Sequence, residues 1–337
     1  MKNPLISIVI NNYNYQEYVA KALNSALEQD YANVEVVIVD DGSTDKSAEI
    51  IRSFNLEKAV FQTNAGQISA MNAGFNLSSG EVVIFLDSDD YLYPECCSEI
   101  AKCFKENIMA YQYKLDTVRA DETKMNIDAP PCDLLLDKHQ DFIYKHGYIP
   151  SAPMSGMAYS RQYLQSVLPA DPSIWQSAYD GYLIYVAAAT GDVVSINRCL
   201  GAYRQHNKSE SEHGNTSMRK HRHMLDCQIL YAKGIKKRAF QVSSLSLQLD
   251  NLLGAYHWKR RLDSYLLDRS NHRYSTDNKF FLAKNMFKAF YHDPLIDSKR
   301  KTKNLFLSLL YMLAPTKLSV YLSGKLSDYP DLKSGKI

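Results

Sequence analysis

The sequence lacks the long apolar runs that membrane-spanning proteins need. A helix that crosses a bilayer requires about 20 consecutive apolar residues, and the longest candidate runs only from Leu305 to Ala314. The first residues also lack the basic segment and apolar stretch that mark a secretory signal. We therefore expect a cytoplasmic protein, either free or bound peripherally to the inner face of the cell membrane.

Cysteine is scarce, and its spacing argues against several kinds of site. The six cysteines form no C-x-x-C pair, and none has the histidine spacing of a zinc site. We interpret them as reduced thiols that mainly pack. The sequence also lacks a G-x-G-x-x-G run, which argues against a dinucleotide-dependent oxidoreductase.

Glutamate is absent after Glu212, and this absence reflects a division of charge along the chain. Residues 1–214 contain 16 Lys and Arg against 28 Asp and Glu, whereas residues 215–337 contain 23 against 9. The net charge of +2 is thus the sum of an acidic part and a basic part. We predict two modules with a boundary near residue 215. The second should be helical, with apolar spacing that predicts helices over Met224–Ala232, Val242–Tyr256 and Lys279–Phe290.

Continuous apolar runs alternate with helical patterns in the first part. The runs Leu5–Ile10, Val34–Val39 and Val82–Leu86 suit strands that are buried on both faces. Apolar residues between them repeat every three or four positions, as in Val19–Leu27. This alternation predicts an α/β fold with a doubly wound sheet, in which ligands bind outside the carboxyl ends of the strands.

Polar clusters follow three of these strands and should converge on that edge. They are Asn11–Asn14, Asp40–Ser43 and Asp87–Asp90, and together they contain five carboxylates. Carboxylates that lie close together repel and raise one another's pKa, so a cation is needed to hold them. Asp87-Ser88-Asp89 is a D-x-D pattern, which suits Mg²⁺ or Mn²⁺ bridging a diphosphate. The alternative is a solvated acidic turn before a helix near Pro94.

The segments together resemble the GT-A glycosyltransferases of family 2, which use nucleotide-diphosphate sugars. The matching stretches are Ile6–Asn14, Val37–Asp45, Asn64–Gly74 and Gly80–Asp90. The resemblance is close over about residues 4–110 and looser to about residue 213. It implies the GT-A fold, a Rossmann-like mixed sheet, followed here by a C-terminal helical appendage. Residues 1–214 would be the catalytic domain, with a nucleotide-sugar half over 1–110 and an acceptor half over 111–214.

The resemblance also implies roles in donor binding. Tyr13 would stack on the nucleotide base, with Asn11 on the same pocket wall. Asp41 would accept a hydrogen bond from the base ring NH, which favours UDP or dTDP. The other residues implied to contact the donor are Gln67, Asn72, Asp87, Ser88 and Arg204.

Two further roles concern the metal and the base. The segment Tyr203–His213 is predicted to be a loop, in which Arg204 would neutralise phosphate. Asp89, Asp87 and His206 would ligate Mn²⁺ or Mg²⁺, although a histidine in a loop is also commonly a plain surface residue. Asp180 would take the proton from the acceptor hydroxyl, as inverting transfer requires. A helix N-terminus should depress the pKa of Asp180, and the alternative reading of this residue is a helix cap.

The basic region after residue 215 combines cations with a short apolar segment. Lys299-Arg300-Lys301 and Lys303 lead into Leu305–Leu313, which is typical of a segment that lies on anionic lipid. The alternatives are a helical appendage that packs on the catalytic domain and a homodimer interface. No nucleic-acid-binding motif accompanies the charge, so we expect no nucleic-acid partner.

These patterns predict a metal-dependent inverting transferase that moves one sugar from a nucleotide-diphosphate sugar to a glycan acceptor. The acceptor would be carried on a polyprenyl lipid, in surface polysaccharide biosynthesis. Single addition is expected because the Gln-x-x-Arg-Trp motif of processive members is absent. The alternatives are a catalytically silent member that acts as a membrane-recruited binding protein and a sugar-phosphate nucleotidyltransferase.

Overall fold

A computed structural model of the chain describes residues 3–175, 178–206, 218–243, 247 and 252–326. The chain divides into two compact units. The first comprises residues 1–140 and 149–209, and the second comprises residues 141–148 and 210–337. The boundary predicted near residue 215 lies outside the described residues.

The first unit is built on a nine-stranded mixed sheet with the order β3-β2-β1-β4-β8-β6-β9-β5, in which β7 pairs with β6. The strands are β1 (Ile6–Asn12), β2 (Val34–Asp40), β3 (Ala59–Phe61), β4 (Val82–Asp87), β5 (Tyr91–Leu92), β6 (Ile108–Arg119), β7 (Lys124–Ala129), β8 (Met157–Ser160) and β9 (Asp192–Gln205). The helices up to the last strand are α1 (Val19–Leu27), α2 (Ser47–Ser53), α3 (Gln67–Leu77), α4 (Cys96–Lys102), α5 (His139–His146), α6 (Arg161–Val167) and α7 (Tyr179–Thr190).

The apolar runs predicted as strands form the centre of this sheet. Residues 6–10 of β1 and 82–86 of β4 are buried throughout, because helices cover the sheet. The four strands β3, β2, β1 and β4 run parallel, so their carboxyl ends lie at one edge. From β4 onward the direction changes, since β8 pairs antiparallel with both β4 and β6. The sheet is therefore mixed, as expected.

The second unit is helical in its described part. Its later helices are α8 (Met218–Ser243), α9 (Ala255–Leu267), α10 (Lys279–His292), α11 (Ser298–Leu313) and α12 (Thr316–Leu326). The sequence pattern predicted one helix over Val242–Tyr256, and this is wrong. The chain at Leu253 and Gly254 is not helical, and α9 begins only at Ala255.

The cysteines and the longer helices bear on two sequence expectations. All six cysteines are free; Cys96, Cys97 and Cys227 are buried, whereas Cys132 is exposed. Within the described residues, no helix combines the length and the apolar character needed to span a bilayer.

Candidate active site

The carboxyl ends of β1, β2 and β4 form one rim that carries polar side chains. The parallel register places Asn12 beside Asp40 and Asn11 beside Asp87. Asn12 Nδ2 donates to Asp40 Oδ1 at 2.7 Å, and Ser43 Oγ donates to the same oxygen at 2.6 Å. Hydrogen bonds between neighbouring strand ends therefore hold the rim together.

The Asp41 carboxylate accepts hydrogen bonds from the loop between β3 and α3. Its Oδ1 accepts from Gln62 Nε2 at 2.7 Å and from the Ala65 amide at 2.9 Å, and its Oδ2 accepts from the Gly66 amide at 2.8 Å. The loop turns through Gly66 at a φ of 89°, a conformation that favours glycine. Both oxygens of Asp41 thus already accept from the protein, and a base ring NH would use their remaining lone pairs.

Three other donor-binding candidates gather at the rim. Tyr13 follows β1 and its side chain is 44% exposed, which leaves its ring open to stacking. Gln67, the first residue of α3, donates from Nε2 to Asp87 Oδ1 at 3.3 Å. Asn11 Oδ1 is buried without a hydrogen-bond partner among the described residues. The rim therefore combines an open aromatic ring with polar atoms suited to a nucleotide.

The D-x-D segment meets the end of β9. Asp89 Oδ2 lies 3.0 Å from His206 Nε2, although 117 positions separate the two residues in the chain. Asp90 is buried, and burial together with the neighbouring Asp89 and Asp87 raises its pKa well above the usual range. Burial and the neighbouring carboxylates therefore disfavour the charged form of Asp90.

Arg204 has a different position from the one expected. The loop predicted to begin at Tyr203 is strand as far as Gln205, so Arg204 lies inside β9 and is only 2% exposed. Its Nε donates to the Asp89 carbonyl at 2.8 Å, and its Nη1 donates to the Ala120 carbonyl at 2.9 Å. The guanidinium is committed to these backbone groups, and we correct its role from phosphate contact to support of the D-x-D segment.

Two other donor-binding candidates also have different surroundings from those expected. Asn72 forms reciprocal hydrogen bonds with the main chain of Ala170, at 2.8 and 3.0 Å. Its amide joins α3 to the segment after α6, because an amide side chain can pair with both main-chain groups of one residue. Ser88 is buried, and its Oγ has no hydrogen-bond partner among the described residues. We therefore remove Asn72 from the donor set and place Ser88 beneath the rim.

The pair of side chains Asp89 and His206 offers ligand atoms that fit a divalent cation. Carboxylate oxygen and imidazole nitrogen are ligands that Mn²⁺ accepts. Adjacent ligands of an octahedral ion bound at 2.0–2.1 Å lie about 3 Å apart, and the Asp89–His206 separation is 3.0 Å. Asp87 is the last residue of β4 and accepts a hydrogen bond from Gln67 Nε2. The ligand atoms of the three predicted metal ligands Asp87, Asp89 and His206 do not all lie within 4.8 Å of one another.

A second acidic cluster is an ion-pair network. In the described part of the chain, three potential ligand atoms lie within 4.8 Å of one another only at Asp116, Asp128 and Cys199. Lys124 Nζ lies 2.6 Å from Asp116, and Lys114 Nζ lies 2.6 Å from Asp128. Burial raises the pKa of the Cys199 thiol to about 11. The lysines neutralise the carboxylates and the thiol stays protonated, so this cluster does not call for a metal.

Asp180 lies in the first turn of α7, as the sequence predicted, but its electrostatics differ. Burial raises the pKa of Asp180, and the hydrogen bond that its Oδ1 accepts from the Gly181 amide at 2.7 Å only partly offsets this. The expectation of a depressed pKa is wrong, because desolvation outweighs the helix N-terminus. A carboxylate with a raised pKa is the stronger base.

Sequence reasoning missed the aromatic residues beneath His206. The Tyr18 ring stacks on the His206 ring with centroids 4.8 Å apart, and the Tyr15 ring contacts it edge-on at 5.6 Å. The cluster of tyrosines at positions 13, 15 and 18, directly after a strand end that carries polar residues, is the signal that could have pointed to them.

Comparison with known proteins identifies relatives of this chain. Residues 7–168 match the family model described as Glycosyl transferase family 2. An uncharacterised glycosyltransferase of Nostoc sp. is 36% identical over 208 residues, which cover 60% of this chain and 65% of the relative. A second, of Haemophilus influenzae, is 42% identical over 97 residues, which cover 27% of this chain and 39% of that relative. This chain thus spans less than two thirds of either relative.

A solved structure shares the fold. S. aureus TarS residues 1–349, in complex with UDP-GlcNAc, align with a TM-score of 0.54 and 18% identity, over 95% of this chain and 91% of that one. At this identity the likeness concerns the fold alone. The family match identifies residues 7–168 as a glycosyl transferase family 2 domain, and the structural likeness shows the GT-A fold.

Proposed function

We propose that this chain is an inverting, metal-dependent glycosyltransferase that adds one sugar from a nucleotide-diphosphate donor, UDP or dTDP in preference, to a glycan acceptor. The observation that carries the proposal is the Asp89–His206 pair, 3.0 Å apart at the carboxyl edge of the parallel strands. The family match supports sugar transfer, and the sheet edge is where ligands of such folds bind.

The donor would lie along the rim. Tyr13 would stack on the base, Asp41 would accept from its ring NH, and Asn11 Oδ1 offers a buried acceptor on the same wall. Asp89 and His206, with Asp87, would hold Mn²⁺ or Mg²⁺. A metal ion bound there supplies Lewis-acid stabilisation of the charge that develops on the departing diphosphate.

Asp180 would act as the general base. Its raised pKa makes it a better proton acceptor than an ordinary aspartate. The acceptor hydroxyl oxygen forms a bond to the anomeric carbon as the bond from that carbon to the diphosphate oxygen breaks. The hydroxyl proton moves to the Asp180 carboxylate, and the nucleoside diphosphate leaves from the opposite face, which inverts the configuration.

A thermal-shift panel tests the donor and metal sites. UDP, dTDP and GDP, with and without MnCl2, are added to wild type, to Asp89→Asn and to the control Asp30→Asn, whose side chain is exposed. We expect UDP or dTDP to raise the Tm of wild type and of the control only with Mn²⁺, and to leave Asp89→Asn unshifted. Absence of a shift in wild type with every nucleotide contradicts the donor site.

A membrane-bound acceptor is consistent with the surface of α11. Phe306, Leu309 and Leu313 are 65%, 46% and 84% exposed and lie three or four positions apart, so they share one face of the helix. Lys299 and Lys303 precede them with the same spacing and are exposed. We propose that this stripe lies on an anionic bilayer and brings the enzyme to a polyprenyl-linked acceptor of a surface glycan.

Sedimentation with vesicles tests this docking. Phosphatidylcholine vesicles with and without phosphatidylglycerol are mixed with wild type, with Phe306→Ser/Leu313→Ser, and with the control Leu136→Ser, whose side chain is exposed in the first unit. We expect binding only to the anionic vesicles, on the order of tenfold weaker for the double variant and unchanged for the control. A wild type that binds neither vesicle, and dimerises through the stripe in sedimentation velocity, contradicts membrane docking.

A further inference from the structure

The ring of Tyr18 contacts two side chains that reach the D-x-D segment, Arg204 and His206. The guanidinium carbon of Arg204 is 4.8 Å from the centroid of the Tyr18 ring, which is the geometry of a cation–π contact. The His206 ring stacks on the same tyrosine at 4.8 Å with an interplanar angle of 28°. Tyr18 directly precedes α1, so a helix anchors its backbone.

Arg204 connects this aromatic contact to the acidic segment. Its Nε donates to the Asp89 carbonyl and its backbone amide donates to Asp90 Oδ1, both at 2.8 Å. A second edge of the guanidinium reaches the turn after β6, through the Ala120 carbonyl at 2.9 Å and Glu122 Oε1 at 3.3 Å. The buried Arg204 side chain therefore joins the backbone that carries Asp89 to the turn after β6.

The same arrangement limits the freedom of His206. This residue comes directly after β9, where the pairing of the strand ends at Gln205. Beyond the strand end, contacts with side chains orient the ring, including the edge-on contact with Tyr15 at 5.6 Å. Tyr18 provides a flat surface for the ring on one side, and the ring edge faces Asp89 Oδ2 at 3.0 Å.

We propose that Tyr18 and Arg204 are positioning residues that hold His206 and Asp89 at the separation required by a divalent cation. The proposal rests on the metal site of the proposed function and adds two residues that neither touch the cation nor contact the donor. Groups that orient metal ligands typically change metal affinity by about 10–100-fold when they are removed.

The contacts predict which substitutions matter. Tyr18→Leu keeps an apolar side chain of similar bulk next to α1 but removes the flat ring that His206 stacks on. Tyr18→Phe keeps the ring. Arg204→Lys keeps the charge but loses the planar group that reaches Asp89 and Ala120 together. Arg198→Lys is the matched control, since Arg198 lies on the same strand and is about half exposed.

The test is direct measurement of Mn²⁺ binding, with and without UDP, from the electron paramagnetic resonance signal of free Mn²⁺. We expect dissociation constants about tenfold higher for Tyr18→Leu and for Arg204→Lys. Tyr18→Phe and Arg198→Lys should bind as wild type does. Each variant is first checked for an unchanged far-UV circular dichroism spectrum and for its Tm.

The outcomes separate the two proposals. If wild type binds Mn²⁺, Asp89→Asn does not, and Tyr18→Leu binds as tightly as wild type, the positioning role is refuted while the metal site stands. If Asp89→Asn binds Mn²⁺ as well as wild type, the metal site itself is wrong and the positioning role falls with it. A loss in Tyr18→Leu that Tyr18→Phe shares also overturns the proposal, because the aromatic face is then not the cause.

Discussion

Replacing Glu35 by glutamine should destabilise the first unit through a hydrogen-bond network at the end of the sheet opposite the candidate site. Glu35 Oε1 accepts from Ser7 Oγ and from the Ser79 amide, both at 2.5 Å, and from the Gly80 amide at 3.0 Å. Its Oε2 accepts from Lys58 Nζ at 2.6 Å. These partners join β1, β2 and the segment before β4, and an amide cannot accept from all of them.

The size of the effect follows from the pKa of Glu35. Although burial opposes it, the hydrogen bonds from Lys58, Ser7 and Ser79 lower this pKa from 4.5 to about 2. At about 1.36 kcal/mol per pH unit this difference corresponds to about 3 kcal/mol. The Lys58 side chain is 30% exposed, and solvent screening reduces the expected loss to about 2 kcal/mol.

The pH dependence provides the sharper test. A carboxyl whose pKa is lower in the folded state stabilises it above the unfolded pKa, and the stabilisation disappears as the pH falls through the folded value. Urea unfolding of wild type and Glu35→Gln should therefore differ by about 2 kcal/mol at pH 7, and the difference should shrink from about pH 4.5 toward pH 2. The control Glu57→Gln, at an exposed position, should change little. A difference that stays constant with pH refutes the reasoning.

Three further predictions concern the site. Asp180→Asn should lower kcat by about 10²–10⁴-fold, and a wild-type rate in this variant contradicts the role of base. In wild type, kcat/KM should rise with pH with a midpoint above pH 3.8, because burial raises the pKa of Asp180. Gly42→Ala should destabilise the fold by about 1–3 kcal/mol, because φ is +75° and a Cβ would lie 2.6 Å from the Asn64 nitrogen; thermal unfolding measures this. Asn72→Ala should cost about 1–3 kcal/mol in urea unfolding while leaving UDP and Mn²⁺ binding unchanged, and weaker UDP binding would restore Asn72 to the donor set.

The central strands and the polar rim were predictable because their signals are local. A run such as Val82–Leu86 is apolar at every position, which is typical of a strand that helices cover on both faces. Parallel pairing then brings the residues after each strand to one edge, so Asn11 and Asp87 had to be neighbours once the strands were recognised. The helix predicted over Val242–Tyr256 was wrong because apolar spacing alone does not show where a helix begins. In the structure, α9 begins only at Ala255, after Gly254.

The roles of individual polar residues were less predictable, because each depends on partners that are distant in sequence. Asn72 forms hydrogen bonds with the main chain of Ala170, 98 positions away, and the sequence around Asn72 does not predict this partner. Arg204 was expected in a loop, but β9 extends to Gln205, so Arg204 lies within the strand and is buried.

The amino-acid sequence by itself determined the alternation of strands and helices, the acidic rim and the division of charge, since each depends on residues that are close together in the chain. Only the tertiary structure decided that Asp89 meets His206, that the Tyr18 ring stacks on the His206 ring, and that burial overrides the helix N-terminus at Asp180. Desolvation and side-chain contact depend on which segments surround a group, and that is fixed only when the chain is folded.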